Sequence, residues 1–197
     1  MSELRTHQFS EEDSQEVMDF ARDALETYVR EGQQMDVGSV SDLLNMRGGL
    51  LLQIESATGM NRVRGSGAIY NGQRIADSTI QATVYAASSR SIGSEVSYNE
   101  TTSVVFKIAL IEDVIVTDEP ENEIEVGRDV PVIVGVDNGG WMFPTQSEEY
   151  NWTPEEYLTR TCKKSGVKPD YWEDNQMIVI RTRPFRESEP EERVVMN

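Results

Sequence analysis

"NRVRGSGAIYNGQ", residues 61–73, can be read as a phosphate cradle, a catalytic loop or a tight turn, and the choice decides the fold. Gly65 and Gly67 supply a GxG, but position 70 is tyrosine, so the dinucleotide fingerprint fails. No GxxxxGK[ST] loop occurs anywhere in the chain. The plainer reading is a glycine-bent strand that passes close to another backbone. With "GLLLQI" upstream, it predicts strands at about 49–55 and 62–69, joined by a turn around Thr58 and Gly59. That is a hairpin, and it points to a sheet that is at least partly antiparallel.

Working outward, Val17, Phe20, Ala21, Leu25 and Tyr28 recur at three- and four-residue steps, predicting a helix from about Ser10 to Glu31. Ser10 and Asp13 have capping-box spacing, and Gly32 supplies the stop. After Gly72 a second helix is expected to about Ser89, its small residues suited to close packing. Strand-like segments return at about 103–111, 113–117, 131–137 and 140–143, the last two separated by "DNGG". In "TPEEYLTRTCKKSG", Thr153 is the expected N-cap of a third helix, Pro154 its first residue and Glu156 the partner closing a capping box. Lys163 and Lys164 oppose the negative end of its dipole, Gly166 is the expected left-handed residue, and Pro169 prevents continuation. A last strand at 177–183 precedes an acidic tail from about 187 to 197.

The 197 residues suit one domain. Apolar runs are of strand length, far below the roughly 20 residues of a membrane span, and the start lacks a secretory or transit pattern. We expect a cytoplasmic protein with no membrane role, and the single cysteine, Cys162, fits a reducing compartment. The net charge is −17, and only four of eighteen basic residues are lysines. This acidic, lysine-poor balance points to a halophilic protein in a salt-rich cytoplasm, where molar salt shortens the screening length to about 3 Å. It argues against nucleic-acid binding, because a phosphate backbone would meet a surface of like charge.

Several chemistries lack their residues. With one histidine, His7, and one thiol, no zinc site of Cys and His ligands can be assembled, and we predict no metal site. His7 precedes the first helix in a segment expected to be mobile, which argues against a Ser/His/Asp triad. Cys162 lies four residues after Leu158 on one helix face and is read as a packed thiol. Trp141, Phe143, Trp152, Tyr157, Tyr171 and Trp172 crowd the C-terminal third and are expected in core or cleft wall.

Read together, "LLNMRGGLLLQI", "VRGSGA" at 63–68, "IEVGRD" at 124–129, "WMFPT" at 141–145 and "NWTPEEYLTRTCKKSGVKPDYW" at 151–172 resemble the AMMECR domain family, and its archaeal members most. The likeness covers most of the chain. It implies an α+β fold with a mixed or largely antiparallel sheet and about three main helices, forming a single domain of two lobes around a cleft, with the signature loop nearby. Arg64 and Gly65 match that signature. Ser66 stands where the family has cysteine, and Gly67 and Ala68 depart from Ile-Gly. Arg90 matches an arginine after the second helix, with Ser88-Ser89 in place of Asp-Pro, and Arg128 matches the arginine of a Val-Gly-Arg motif. A mechanism requiring a thiolate at position 66 would be crippled by serine.

Neither a reaction nor a cofactor follows from the sequence. One functional reading is an enzyme or ligand-binding component that holds a small anionic or nucleotide-like molecule in the cleft, with Arg64, Gly65, Ser66, Gly67, Arg90 and Arg128 as candidate ligand-binding residues. Guanidinium forks suit carboxylates and phosphates. The competing reading of the arginines is that each forms a structural ion pair with one of the many acids. The alternative function is a non-catalytic module docking onto MEMO-type or radical-SAM partners, a context that the resemblance implies. An exposed apolar patch, around Trp141 for example, would favour it.

Overall fold

The computed structural model describes residues 7–57, 63–70, 72–90, 94–133 and 140–187. Among these residues five strands are hydrogen-bonded in the order β2-β1-β3-β5-β4, where β1 is Leu50–Ser56, β2 Val63–Ile69, β3 Val104–Thr117, β4 Val130–Val132 and β5 Met177–Arg186. The pairs β1 with β2, β1 with β3, and β4 with β5 are antiparallel. The helices, in chain order, are α1 (Glu11–Glu31), α2 (Asp42–Asn45), α3 (Ile75–Ala87), α4 (Pro120–Glu123), α5 (Pro144–Glu149), α6 (Pro154–Lys164) and α7 (Tyr171–Asp174), with a 3-10 helix at Tyr98–Ser103. The architecture is α+β, as the sequence predicts. Three of these helices are long and the others are of six residues or fewer.

The chain divides into two compact units, one of residues 2–110 with 185–197 and one of 111–184. In the first, α1 begins as predicted: Ser10 caps it and exchanges both capping-box bonds with Asp13, and Gly32 ends it at a φ of 70°. Alternation along β1 sends Leu50, Leu52 and Ile54 into a core with Val17 and Leu25 of α1, Ala82 and Ala86 of α3, and Phe106 and Ile108 of β3. Each such buried Leu or Ile contributes roughly 1.5–3 kcal/mol. The alternate residues Leu51, Gln53 and Glu55 are buried too, so β1 is covered on both faces.

In the second unit, α6 lays Tyr157, Leu158 and Cys162 against Ile133, Met142, Met177 and Val179. Thr153 and Glu156 form the expected capping box, and Gly166 adopts a φ of 74°. Cys162 is fully buried. Tyr157 satisfies its hydroxyl by donating to the Met142 carbonyl at 2.8 Å.

Four expectations need correction. The strands expected at 103–111 and 113–117 are one, β3, because the acids at their junction do not break it: Glu112 pairs with Arg183 of β5. No strand forms at 141–143; Gly140 makes an isolated bridge to Ile133, and Phe143 already caps α5. His7 is not in a loose segment, since its Nε2 lies 3.0 Å from Asp13 and its ring packs edge-on against Phe9. Glu187 does not begin a tail but belongs to the first unit, where it pairs with Arg22 and accepts from the Phe106 amide at 3.1 Å. The turn at Thr58–Gly59, Arg62, most of "DNGG" and residues 188–197 lie outside the described residues.

Candidate functional site

The signature stretch sits in β2, and its side chains go three ways. Gly65 and Gly67 face α3. A Cβ on Gly65 would stand 1.9 Å from the Ala86 carbonyl oxygen, and one on Gly67 would stand 2.3 Å from that of Ala82. Since Ala82 and Ala86 are one helical turn apart, two glycines at alternate strand positions let β2 lie directly against the α3 backbone. The glycines are thus packing residues, as the plainer sequence reading holds. They present no cradle of amides.

Arg64 goes a second way. The β1–β2 register slips between Ile54 and Glu55, so that Ile54 opposes Gly65 while Glu55 opposes Val63, leaving Arg64 as the extra residue of a bulge. Its guanidinium pairs with Glu100 through Nη1 and donates to the Ser94 carbonyl through Nη2 at 3.4 Å. Glu100 also accepts from the Ser97 amide at 2.9 Å and its hydroxyl at 2.7 Å. The Arg64 bond first, and the Ser97 amide second, hold the Glu100 carboxyl down at a pKa of about 2.

Arg90 meets the same segment. Its guanidinium contacts Glu95 at 2.8–2.9 Å, and its side chain is 80% exposed. Arg90, Ser94, Glu95, Val96 and Ser97 line a cavity of about 550 Å³. Two of the three candidate arginines therefore converge on one short segment. Arg128 belongs to the second unit, where it grips the fully buried Asp129 with Nε at 2.8 Å and Nη2 at 2.7 Å and also pairs with Glu125. Each of the three arginines has a carboxylate partner. For Arg128 the grip is bidentate on a buried acid, the geometry of a structural pair.

Ser66 goes the third way, onto the sheet face opposite the glycines, where it meets residues that sequence reasoning missed. Ser66 opposes Gln53 in the register of β2 with β1, and Gln53 opposes Lys107 in that of β1 with β3. The row Ser66–Gln53–Lys107 thus crosses three strands on one face. Glu55, two residues along β1, accepts at Oε1 from Gln53 Nε2 at 2.7 Å and from Lys107 Nζ at 3.0 Å, while Arg186 Nη2 stands 4.0 Å from Oε2. Glu55 and Lys107 are only 5% and 3% exposed. The signal was present in the sequence as a lone lysine inside "VVFKIAL" and a Gln and Glu alternating with Ile in "QIE". Charges in such runs are buried only when paired.

Trp141 is half-buried, with Lys164 donating to its carbonyl at 2.7 Å. It is not among the exposed large apolar side chains of the described residues, so it does not itself supply the exposed patch that would favour a docking module. No group of three or more metal-ligating residues forms among the described residues, and no described helix is long and apolar enough to cross a membrane.

Comparison with known proteins places this geometry among relatives. The sequence model of the AMMECR1 family matches residues 18–183. A protein of Halobacterium salinarum, VNG_2543C, is 32% identical over 191 residues, which span 92% of this chain and 91% of its own. The protein MJ0810 of Methanocaldococcus jannaschii is 25% identical over 184 residues, 89% and 90% of the two chains. Among solved structures, that of the uncharacterized protein PH0010 from Pyrococcus horikoshii superposes with a TM-score of 0.83 at 22% identity, covering 94% of this chain and 96% of that one. At that identity the likeness speaks for the fold.

Proposed function

Since the chain belongs to the AMMECR1 family, we propose a role built on its signature arginines: binding a small anionic ligand in the cavity lined by Arg90, Ser94, Glu95, Val96 and Ser97, with Arg64 as its support. The observation that carries this reading is the convergence of Arg64 and Arg90 on residues 94–97 in a chain of net charge −17. The two arginines differ in availability. Arg64 is only 18% exposed and holds Glu100, whereas the Arg90–Glu95 pair is exposed on both sides. An exposed pair is worth about 0–1 kcal/mol, so an incoming phosphate or carboxylate displaces Glu95 at small cost. Arg90 then supplies a planar fork on a wall that Ser94 and Ser97 also line.

The test is a thermal-shift screen at the lowest salt that keeps the protein folded, using inorganic phosphate, a nucleoside monophosphate and a dicarboxylate. At least one should raise the midpoint of the native protein by mass action. In Arg90→Ala the affinity for that anion should fall by about one to two orders of magnitude, the share of a charge-assisted hydrogen bond. A native protein indifferent to all three anions, or an Arg90→Ala variant that responds equally, overturns the reading.

A further inference from the structure

We propose that the solvent side of α6 is a docking surface for an acidic segment of a partner protein, with Arg160, Lys163 and Lys168 as its charges and Tyr150 and Trp152 as its apolar flank. All five lie in the second compact unit, and none lines the Arg90 cavity. The starting observation is a local reversal of charge. Residues 157–169 hold four basic side chains and no acid, in a chain of net charge −17, and three of the chain's four lysines fall there. Arg160, Lys163, Lys164 and Lys168 are all exposed.

Burial of Leu158 and Cys162 turns Arg160 and Lys163 to the opposite side of α6, where residues three apart are neighbours. Other arginines of the chain are neutralised in place: Arg64, Arg74, Arg90, Arg128, Arg181 and Arg183 each hold a carboxylate. Among the described residues Arg160, Lys163 and Lys168 hold none. Glu156, one turn before Arg160, is committed to the Thr153 amide at 3.1 Å. Asp170, Glu173 and Asp174 follow in the chain without closing an ion pair on these cations. The helix dipole favours Lys163 and Lys164 in the last turn of α6, but its reach ends with that turn. It accounts for neither Arg160 before it nor Lys168 beyond the left-handed Gly166.

The aromatic flank narrows the partner. The Arg160 guanidinium lies over the Trp152 ring, 4.5 Å from its centroid, and Tyr150 stacks on Trp152 at 5.3 Å with the planes 14° apart. Tyr150 remains 65% exposed. An arriving segment therefore meets cations and apolar rings side by side, and Trp, Tyr and Arg are the residues that dominate binding energy at interfaces. Separate cations along a convex helix face suit acids spaced along a chain, whereas a small anion needs a concave site. A polynucleotide fits less well, because its phosphates, one per about 1.7 Å of duplex, would bring dense charge toward a chain of −17. Carboxylates on a neutral peptide backbone, with an aromatic residue among them, match both halves of the surface.

The experiment measures fluorescence anisotropy of a short labelled peptide, glutamates and aspartates flanking one tryptophan, against the native full chain at the lowest salt that keeps it folded. The peptide should bind, and its counterpart with glutamine and asparagine in place of the acids should bind about tenfold more weakly. Lys163→Gln combined with Lys168→Gln should weaken the acidic peptide about three- to tenfold, and Tyr150→Ser about threefold. All three positions are exposed, so these variants keep the fold. Arg30→Gln combined with Arg74→Gln makes the same change of net charge in the first unit and should leave binding within about twofold. No binding up to about 1 mM, equal binding of the uncharged peptide, or an equal loss in the Arg30 and Arg74 variant overturns the proposal. So does a loss confined to Arg90→Ala, which would put the peptide in the Arg90 cavity, or tighter binding of an oligothymidylate of the same charge, which would make the surface a nucleic-acid site.

Discussion

Gly65 and Gly67 show how a motif that looks like ligand chemistry can be packing. The sequence allowed the inference of a close backbone approach, but not which backbone, because the partner lies on α3 and becomes visible only once the hairpin and helix are assembled. The consequence is asymmetric. Gly65→Ala puts a methyl into a backbone carbonyl that cannot swing aside, so we expect a loss of about 1–3 kcal/mol or more in urea unfolding, with Gly67→Ala close behind. Gly72→Ala, with nothing within 4 Å, should be near neutral, and similar losses at all three positions would contradict the packing account. Glu100 gives a pH test of the arginine network. Its carboxyl is lowered from an ordinary 4.5 to about 2, so the folded state binds that proton less readily than the unfolded chain. The resulting stability is full above about pH 4.5 and is lost as pH falls toward about 2. Glu100→Gln and Arg64→Ala should both flatten the fall in unfolding free energy across that window; an unchanged slope in both would mean that the pair is not formed.

Among the elements, those with strong local signals were the ones legible in advance. Helices α1 and α6 carry side-chain caps, acidic first turns and left-handed glycines, which fix their ends without tertiary help. The length of β3 was misjudged because Glu112 and Asp113 look like a break until Arg183 is placed beside the first of them. The Gln53–Glu55–Lys107 cluster was missed for a related reason, since its members are 52 or more residues apart except within β1, and only the register of β1 with β3 unites them. Cys162 was legible from helical spacing alone: its burial pushes the thiol pKa up, and it packs with Tyr157 and Leu158. A disulfide reagent should therefore label it no faster than the native state opens, and Cys162→Ser should cost roughly 1–3 kcal/mol without altering anion binding. Rapid labelling of the folded protein would mark the thiol as reactive instead.

For the whole molecule, the governing quantity is the charge of −17, and its strain is visible locally along α1. The Asp23 carboxyl is raised above its ordinary value by burial first and then by Glu26 and Asp19, so the charged form is disfavoured in the folded state. Salt relieves the second contribution and not the first. We therefore infer a protein adapted to molar salt, as the acidic, lysine-poor composition suggests, and expect its thermal midpoint to climb steeply from about 0.1 M KCl as screening sets in. The rise should continue more gently toward about 3 M, where the screening length is already short and strengthened apolar burial takes over. Asp23→Asn tests the repulsion. At low salt it should melt above the native protein, because it removes a carboxylate that Glu26 and Asp19 repel. In high salt the gap should close, since Asp23 is exposed and screening removes the repulsion. A midpoint that stays flat or falls with KCl would remove the case for salt adaptation, and a gap that widens would show that repulsion along α1 does not limit stability.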